Sequence, residues 1–318
     1  MGVPRAGGLP NYNPGAGIDF IPEIWSGKLV EKFYKATCFG EIATTDYEGE
    51  IVGMGSNIKI RTVPDITVSN YVIGAGLTAQ YPSRNSVSLA IDQALSFNVA
   101  LNTVDSRQSD LDLSDIFATD GAIQLKIAAD ADMFATIPAQ VSANNTGTAA
   151  GVDVGNLNLG TVAAPVTIEA NGATGSQVNV LDMMTAWGEV LDEQNVTDEG
   201  RWAVVPPWFI RKLKSSDLRI ASLAGDGISV IRNGKVGMID RFMVYQSRNI
   251  LKTTSPTTSF ACMFGHSAGL AFASQITEAQ MIDNPSDFGY LIRGLMVFGF
   301  KVIEPKFVGT SYVVPGAN

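Results

Sequence analysis

Asn57-Ile58-Lys59-Ile60-Arg61-Thr62-Val63 and Ser86-Val87-Ser88-Leu89-Ala90-Ile91 both alternate apolar and polar residues. A period of two is the mark of a half-buried β-strand. Between the two runs, residues 67–83 are polar and punctuated by Gly74, Gly76 and Pro82. The pattern predicts a long two-stranded ribbon with a loosely packed tip. Two strands alone bury too little apolar surface to be stable in water, so this ribbon requires a partner surface.

Upstream, residues 1–20 are rich in Gly, Pro and Asn and read as an extended arm. Pro22 suits a first helical turn, and Ile24, Trp25, Leu29 and Phe33 recur at helical spacing. The expectation is a short amphipathic helix on a loose arm, built to dock onto something larger. Downstream of the ribbon lies the longest helix candidate, residues 114–137. Ser114 is its expected N-cap, Ile116, Ile123, Ile127, Phe134 and Ile137 its apolar stripe, and Pro138 its stop. At 1.5 Å per residue it spans roughly 35 Å, although Gly121 within it costs about 1 kcal/mol relative to Ala.

Residues 141–178 are poor in charge and read as loop plus an edge strand at 164–168. Asn179 then caps a helix whose stripe is Leu181, Met184, Trp187 and Leu191. A strand at 202–205 feeds a helix opened by Pro206-Pro207. The dipeptide Asn233-Gly234, between apolar runs at 228–231 and 236–239, predicts a type I′ hairpin. Further strand signals follow at 242–245, 295–300 and 301–308. Strands and helices mix without βαβ regularity, so the class is α+β.

Composition narrows the function. The net charge is −9, from 31 acidic and 22 basic residues, and the densest basic stretch is only Arg211-Lys212-Leu213-Lys214. Proteins that grip nucleic acid show the opposite balance, which argues against sequence-specific binding while allowing an acidic wall that faces DNA. Cys38 and Cys262 lie far apart in apolar surroundings and read as reduced, buried thiols. Two cysteines with one histidine make no standard zinc site. There is no signal-peptide core, no myristoylation pattern and no apolar run of about 20 residues, so the expectation is a soluble, reducing compartment and no membrane.

Three stretches imitate active sites. Gly265-His266-Ser267-Ala268-Gly269 matches the G-x-S-x-G elbow of hydrolases, after an apolar strand and before a run, 270–276, that reads as helical. The triad base must come from a separate segment, yet His266 is the only histidine and sits inside the motif. Small residues packing a strand-to-helix turn are the simpler account. Gly74-Ala75-Gly76 imitates a dinucleotide loop, but Pro82 breaks any helix that would receive the phosphates. Carboxylates at Asp110, Asp112 and Asp115, and at Asp192, Glu193, Asp198 and Glu199, lack the spacing of a calcium loop; helix N-termini and solvated faces explain them. No catalytic, cofactor-binding or metal-binding residue is expected.

The order is an arm with a short helix, an unsupported ribbon, one long helix, then an α+β body. It resembles the major capsid proteins of tailed bacteriophages with the HK97-type fold. The local sequence supports the likeness. Asp19-Phe20-Ile21-Pro22-Glu23-Ile24-Trp25-Ser26 is similar to the arm of the P22-coat-like branch. Asp46-Tyr47-Glu48-Gly49-Glu50-Ile51, ahead of Ile58-Lys59-Ile60, resembles the entry to the extended loop of those proteins, and Arg201-Trp202-Ala203-Val204-Val205-Pro206-Pro207, Arg232-Asn233-Gly234-Lys235-Val236-Gly237 and Arg293-Gly294-Leu295-Met296-Val297-Phe298-Gly299 resemble their later strands.

The resemblance implies an N-arm (1–44), an E-loop (45–100), a spine helix with the first part of a P-domain (101–178), an A-domain (179–285) and a P-domain return with tail (286–318). It implies a structural subunit, not an enzyme. Such subunits form pentamers and hexamers and close into an icosahedral shell around double-stranded DNA. A separate scaffolding protein, a portal and a possible decoration protein are the implied partners, with no cofactor. The implied location is the virion capsid, assembled in the bacterial cytoplasm. Ile24, Trp25, Leu29, Phe33, Ile58, Ile60, Tyr71 and Tyr81 are the candidate inter-subunit contacts. An encapsulin-type compartment, which shares the fold, and a G-x-S-x-G hydrolase are the alternatives.

Overall fold

The computed structural model describes residues 35, 37–46, 57–62, 64, 66–74, 76, 79–81, 86–103, 113–170, 177–216, 237–285 and 287–316. The arm residues Ile24, Trp25, Leu29 and Phe33 and the expected Asn233-Gly234 hairpin therefore lie outside the described residues. A single turn, α1 (Phe39–Ile42), precedes the ribbon of β1 (Asn57–Arg61) and β2 (Ser86–Ala90). These strands pair antiparallel, Ile58 opposite Leu89 and Ile60 opposite Val87. After β3 (Gln93–Asn102) comes the long helix α2 (Leu113–Thr136).

The body is built from β4 (Val166–Glu169), β5 (Gln177–Asn179), α3 (Val180–Glu193), β6 (Arg201–Val205) and α4 (Pro207–Ser215). It continues with β7 (Met238–Ile239), β8 (Phe242–Gln246), β9 (Lys252–Thr253) and β10 (Ser259–His266). Last come β11 (Leu270–Asp283), β12 (Gly289–Val302) and β13 (Val308–Pro315). Eight strands form the main sheet in the order β5-β4-β13-β10-β6-β8-β7, with β9 on β10, and β11-β12-β3 form a second sheet.

The main sheet is covered on both faces, so its central strands are apolar throughout rather than alternating. Ala203, Val205, Cys262 and Phe264 face α3 and α4, where the Trp187 ring stacks on Phe264 at 5.3 Å and Phe209 at 5.6 Å. Trp202, Val204 and Met263 face the other way and meet Met133, Phe134 and Ile137 at the end of α2. Local rules set the helix ends: Asn179 accepts from the Leu181 N–H at the start of α3, and Pro206-Pro207 opens α4.

The long helix is seated differently from expectation. Ser114 lies within it, and its buried stripe is Gly121, Leu125, Ala129 and Met133, flanked by Asp130 and Phe134. Ile116, Ile123 and Ile127 are only half-buried. The reason is one side chain. Phe97 of β3 packs over Gly121, where an added Cβ would stand 2.5 Å from the ring, and the same ring covers Gly294 of β12. Two glycines thus let an aromatic ring lie between helix and sheet, and the helix rotates to present Gly121.

Other expectations change for tertiary reasons. β4 is not an edge strand; it runs parallel between β13 and β5. Residues 270–276 are not helical, because Leu270 begins a 14-residue strand paired to β12 from Val302 onward. The two expected terminal strands are instead β12, ending at Val302, and β13, starting at Val308, with a 3₁₀ turn at Pro305–Phe307 between them. A two-residue turn at Asp240 (φ 45°) and Arg241 (φ 67°) joins β7 to β8.

Gly121→Ala should destabilise the subunit by about 1–3 kcal/mol through overpacking against Phe97, outweighing the ~1 kcal/mol that Ala adds to helix propensity. In a Phe97→Ala background the same change should turn neutral or stabilising. Urea midpoints of the four variants measure both signs.

Candidate assembly surfaces

The ribbon divides into a root and a tip. At the root Ile60, Leu89 and Ile91 are buried with Ala271, Ala273 and Ile303, and Ile58 packs against the same cluster. Small residues admit it: a Cβ on Gly299 of β12 would strike the Ala90 carbonyl. Ile60 is thus removed from water by its own chain, and Ile58 is half-buried beside it. At the tip the opposite holds. Tyr71 and Tyr81 are 68% and 91% exposed, in company with Ile66, Val68, Val72 and Ile73. The Gln80 side chain ties the two arms of the tip by donating to the Thr67 carbonyl at 2.6 Å and accepting from the Thr67 N–H at 3.1 Å.

The tip aliphatics were legible as residues but hidden in a stretch of polar character, where no periodicity flags them. A second exposed apolar group, Phe288 with Tyr290 and Met281, stands at the far end of the β11–β12 hairpin. It escaped notice for the same reason, being short and aperiodic.

The arm is tied to the body by a buried carboxylate that the sequence reading missed. Asp130 of α2 is wholly buried and accepts from the Cys38 and Phe39 N–H groups, each at 3.1 Å, and from Asn249 Nδ2 at 2.7 Å. Burial raises its pKa against the pull of those hydrogen bonds. Burial, aided by the Asp130 charge, also pushes the Cys38 thiol up to about 12, and burial alone raises that of Cys262. Both cysteines are free and inert, as expected.

The carboxylates at the end of α3 hold guanidinium groups rather than a metal or mere solvent. Arg201, its side chain fully buried, meets Asp192 at 2.7 Å and Asp198 at 3.1 Å, and donates to the carbonyls of Val196 and Thr197. Arg241, held at positive φ in its turn, spans the same two carboxylates at 2.9 and 2.7 Å. Glu193 accepts instead from the backbone N–H groups of Val152, Asp153 and Val154. Asp110 and Asp112 lie outside the described residues, and among those described no group of three or more His, Cys, Asp or Glu could hold a metal ion.

The hydrolase motif folds as a joint between strands. Residues Ser267–Gly269 make a 3₁₀ turn from β10 directly into β11, so the helix that a nucleophile elbow needs is replaced by a strand. His266 Nδ1 accepts from the Ala268 N–H, and Nε2 lies 3.2 Å from Thr197 Oγ1. Gly265 and Gly269 are small because Phe307 and Val308 press on them. Gly74 and Gly76 adopt positive φ in the ribbon tip.

Residues 92–311 match the family described as phage capsid protein. A solved chain from Mycobacterium phage Che8 is 26% identical, with a TM-score of 0.70 over 92% of this chain and 97% of that one. The capsid structure of cyanophage P-SCSP1u gives 17% identity and 0.69, covering 94% of each chain. The mature capsid of bacteriophage PhiM1 gives 14% and 0.65, covering 100% of each. No curated protein sequence matches.

Burial pushes the Asp192 pKa up, but hydrogen bonds and charges from Arg241 and Arg201 outweigh it and hold it below 3.8. A group lowered in the folded state contributes stability that is present above its ordinary value and lost as pH falls through the folded one. The urea midpoint should therefore drop on acidification below about pH 4. Asp192→Asn should flatten that part of the profile.

Proposed function

The chain belongs to the phage capsid protein family, and on that premise we propose that it closes an icosahedral shell as pentamers and hexamers around double-stranded DNA. It is a structural capsid subunit with an HK97-like fold, not an enzyme. Neither the hydrolase nor the encapsulin alternative finds support.

One observation carries the assembly reading: a ribbon whose root is buried on its own body presents an apolar tip to water. Monomeric proteins rarely leave such groups uncovered together. Each large aliphatic side chain on the tip gains about 1.5–3 kcal/mol when a neighbour covers it. Tyr71 and Tyr81 are then inter-subunit contacts, with Ile24, Trp25, Leu29 and Phe33 of the arm engaging neighbours as well.

The proposed regions are the N-arm (1–44), E-loop (45–100), spine helix and first P-domain part (101–178), A-domain (179–285) and P-domain return (286–318). Local sequence at 19–26 and 201–207 supports a place in the P22-coat-like branch. A separate scaffolding protein, a portal and a decoration protein are the proposed partners, with assembly in the bacterial cytoplasm. The net charge of −9 favours an inner wall along which DNA slides without sticking.

Negative-stain electron microscopy of the purified chain, alone and with a scaffolding partner, should show rings of five and six or closed shells. A monomer under both conditions sinks the reading. Tyr71→Asp with Ile73→Asp should leave the urea midpoint unchanged yet abolish closed shells, since it alters only exposed tip residues.

A further inference from the structure

The pairing of β1 with β2 runs from Asn57 opposite Ala90 to Arg61 opposite Ser86. Each step forward on one strand is a step back on the other, so the same register carried onward sets Thr67 opposite Gln80. Its midpoint falls at Ile73 and Gly74, where the chain turns and Gly74 takes φ 85°. Pro64 and Pro82 lie between the paired strands and the tip and have no N–H to give a ladder. Among the described residues no main-chain hydrogen bond joins the two arms of the tip. Instead the Gln80 side-chain amide donates to the Thr67 carbonyl at 2.6 Å and accepts from the Thr67 N–H at 3.1 Å. Two opposed main chains exchange that same pair of bonds in an antiparallel ladder. Here a side chain supplies one half of it, so the arms keep their register while standing farther apart than paired strands.

We propose that Gln80 is a positioning residue for assembly, holding the tip in register but apart so that Ile66, Val68 and Tyr81 meet a second copy of the chain as one preformed apolar face. The register sets Ile66 opposite Tyr81, and Val68 follows on the same face of an extended chain. All three are exposed. Without the clamp the two arms would be free of each other, and every contact would have to order them anew, which weakens association. The occupant follows from the chain itself: the described tip residues, 66–74, 76 and 79–81, carry no charge, so they suit an apolar surface rather than an ionic partner or nucleic acid. The role rests on the ribbon tip engaging neighbours in the shell; the clamp does not.

The test reads the clamp and the assembly separately in the full chain. Spin labels at Val68 and Ala79, opposite each other in the same register, should give one narrow distance distribution in the unassembled subunit. Gln80→Ala should broaden it. Gln80→Glu should be broad at pH 7 and narrow again toward about pH 4, where the glutamate protonates. The protonated carboxyl can then donate to the Thr67 carbonyl and accept from its N–H, as the amide does. Amide exchange checks the clamp without labels: the Thr67 N–H should exchange at least about fivefold more slowly than that of Ser69, and Gln80→Ala should erase the difference. Gln80→Ala should also slow shell formation, followed by light scattering, at least about fivefold while leaving the urea midpoint unchanged. Unchanged distances and exchange in Gln80→Ala overturn the clamp. Shells formed by Gln80→Ala at the wild-type rate overturn its role in assembly and leave the capsid reading intact.

Discussion

The ring of Phe97, laid between Gly121 and Gly294, is the contact on which the architecture turns. It joins the strand that continues the ribbon, the long helix and the central strand of the second sheet at one place. Without two side-chain-free positions the helix could not approach that sheet, since interiors tolerate little overlap. The approach in turn fixes which face of the helix is buried, and so aims Met133, Phe134 and Ile137 at the main sheet. Local propensity argued against glycine in mid-helix; packing required it.

A second constraint is the pair of buried charges. Asp130 has its lone pairs filled by the arm's root and Asn249, and Arg201 has two carboxylates and two carbonyls around its guanidinium. Burying either without partners would cost several kcal/mol. Each therefore acts as a registration point: Asp130 sets where the arm departs, and Arg201 with Arg241 locks the end of α3 to β6 and the β7–β8 turn. A rigid body results, with its unsatisfied apolar surface pushed outward to the ribbon tip and the far end of the β11–β12 hairpin.

That distribution suits a shell. A subunit that buried all its apolar surface would have no drive to associate, and one with a sticky body would aggregate without geometry. Here the exposed groups sit on projections whose bases are held by the chain's own core, so position and adhesion are separated.

Periodicity and caps were enough to place the ribbon strands, the long helix, α3 with its Asn179 cap and α4 with its paired prolines, because these depend on residues close in sequence. The single histidine inside G-x-S-x-G was enough to dismiss a triad, since the argument needs only a count. The exposed tip residues were legible only as tyrosines and aliphatics in the right region: Ile60 reads like Tyr71 until the body beneath it is known. Whether an apolar side chain is buried on its own core or left exposed, which stripe of a helix is buried, whether 270–276 is strand or helix, and that Asp130 is a buried anchor were all decided by tertiary structure. Each depends on groups tens to hundreds of residues away (Phe97 on Gly294, Leu270 on Val302, Asp130 on Asn249), and local sequence carries no record of that pairing.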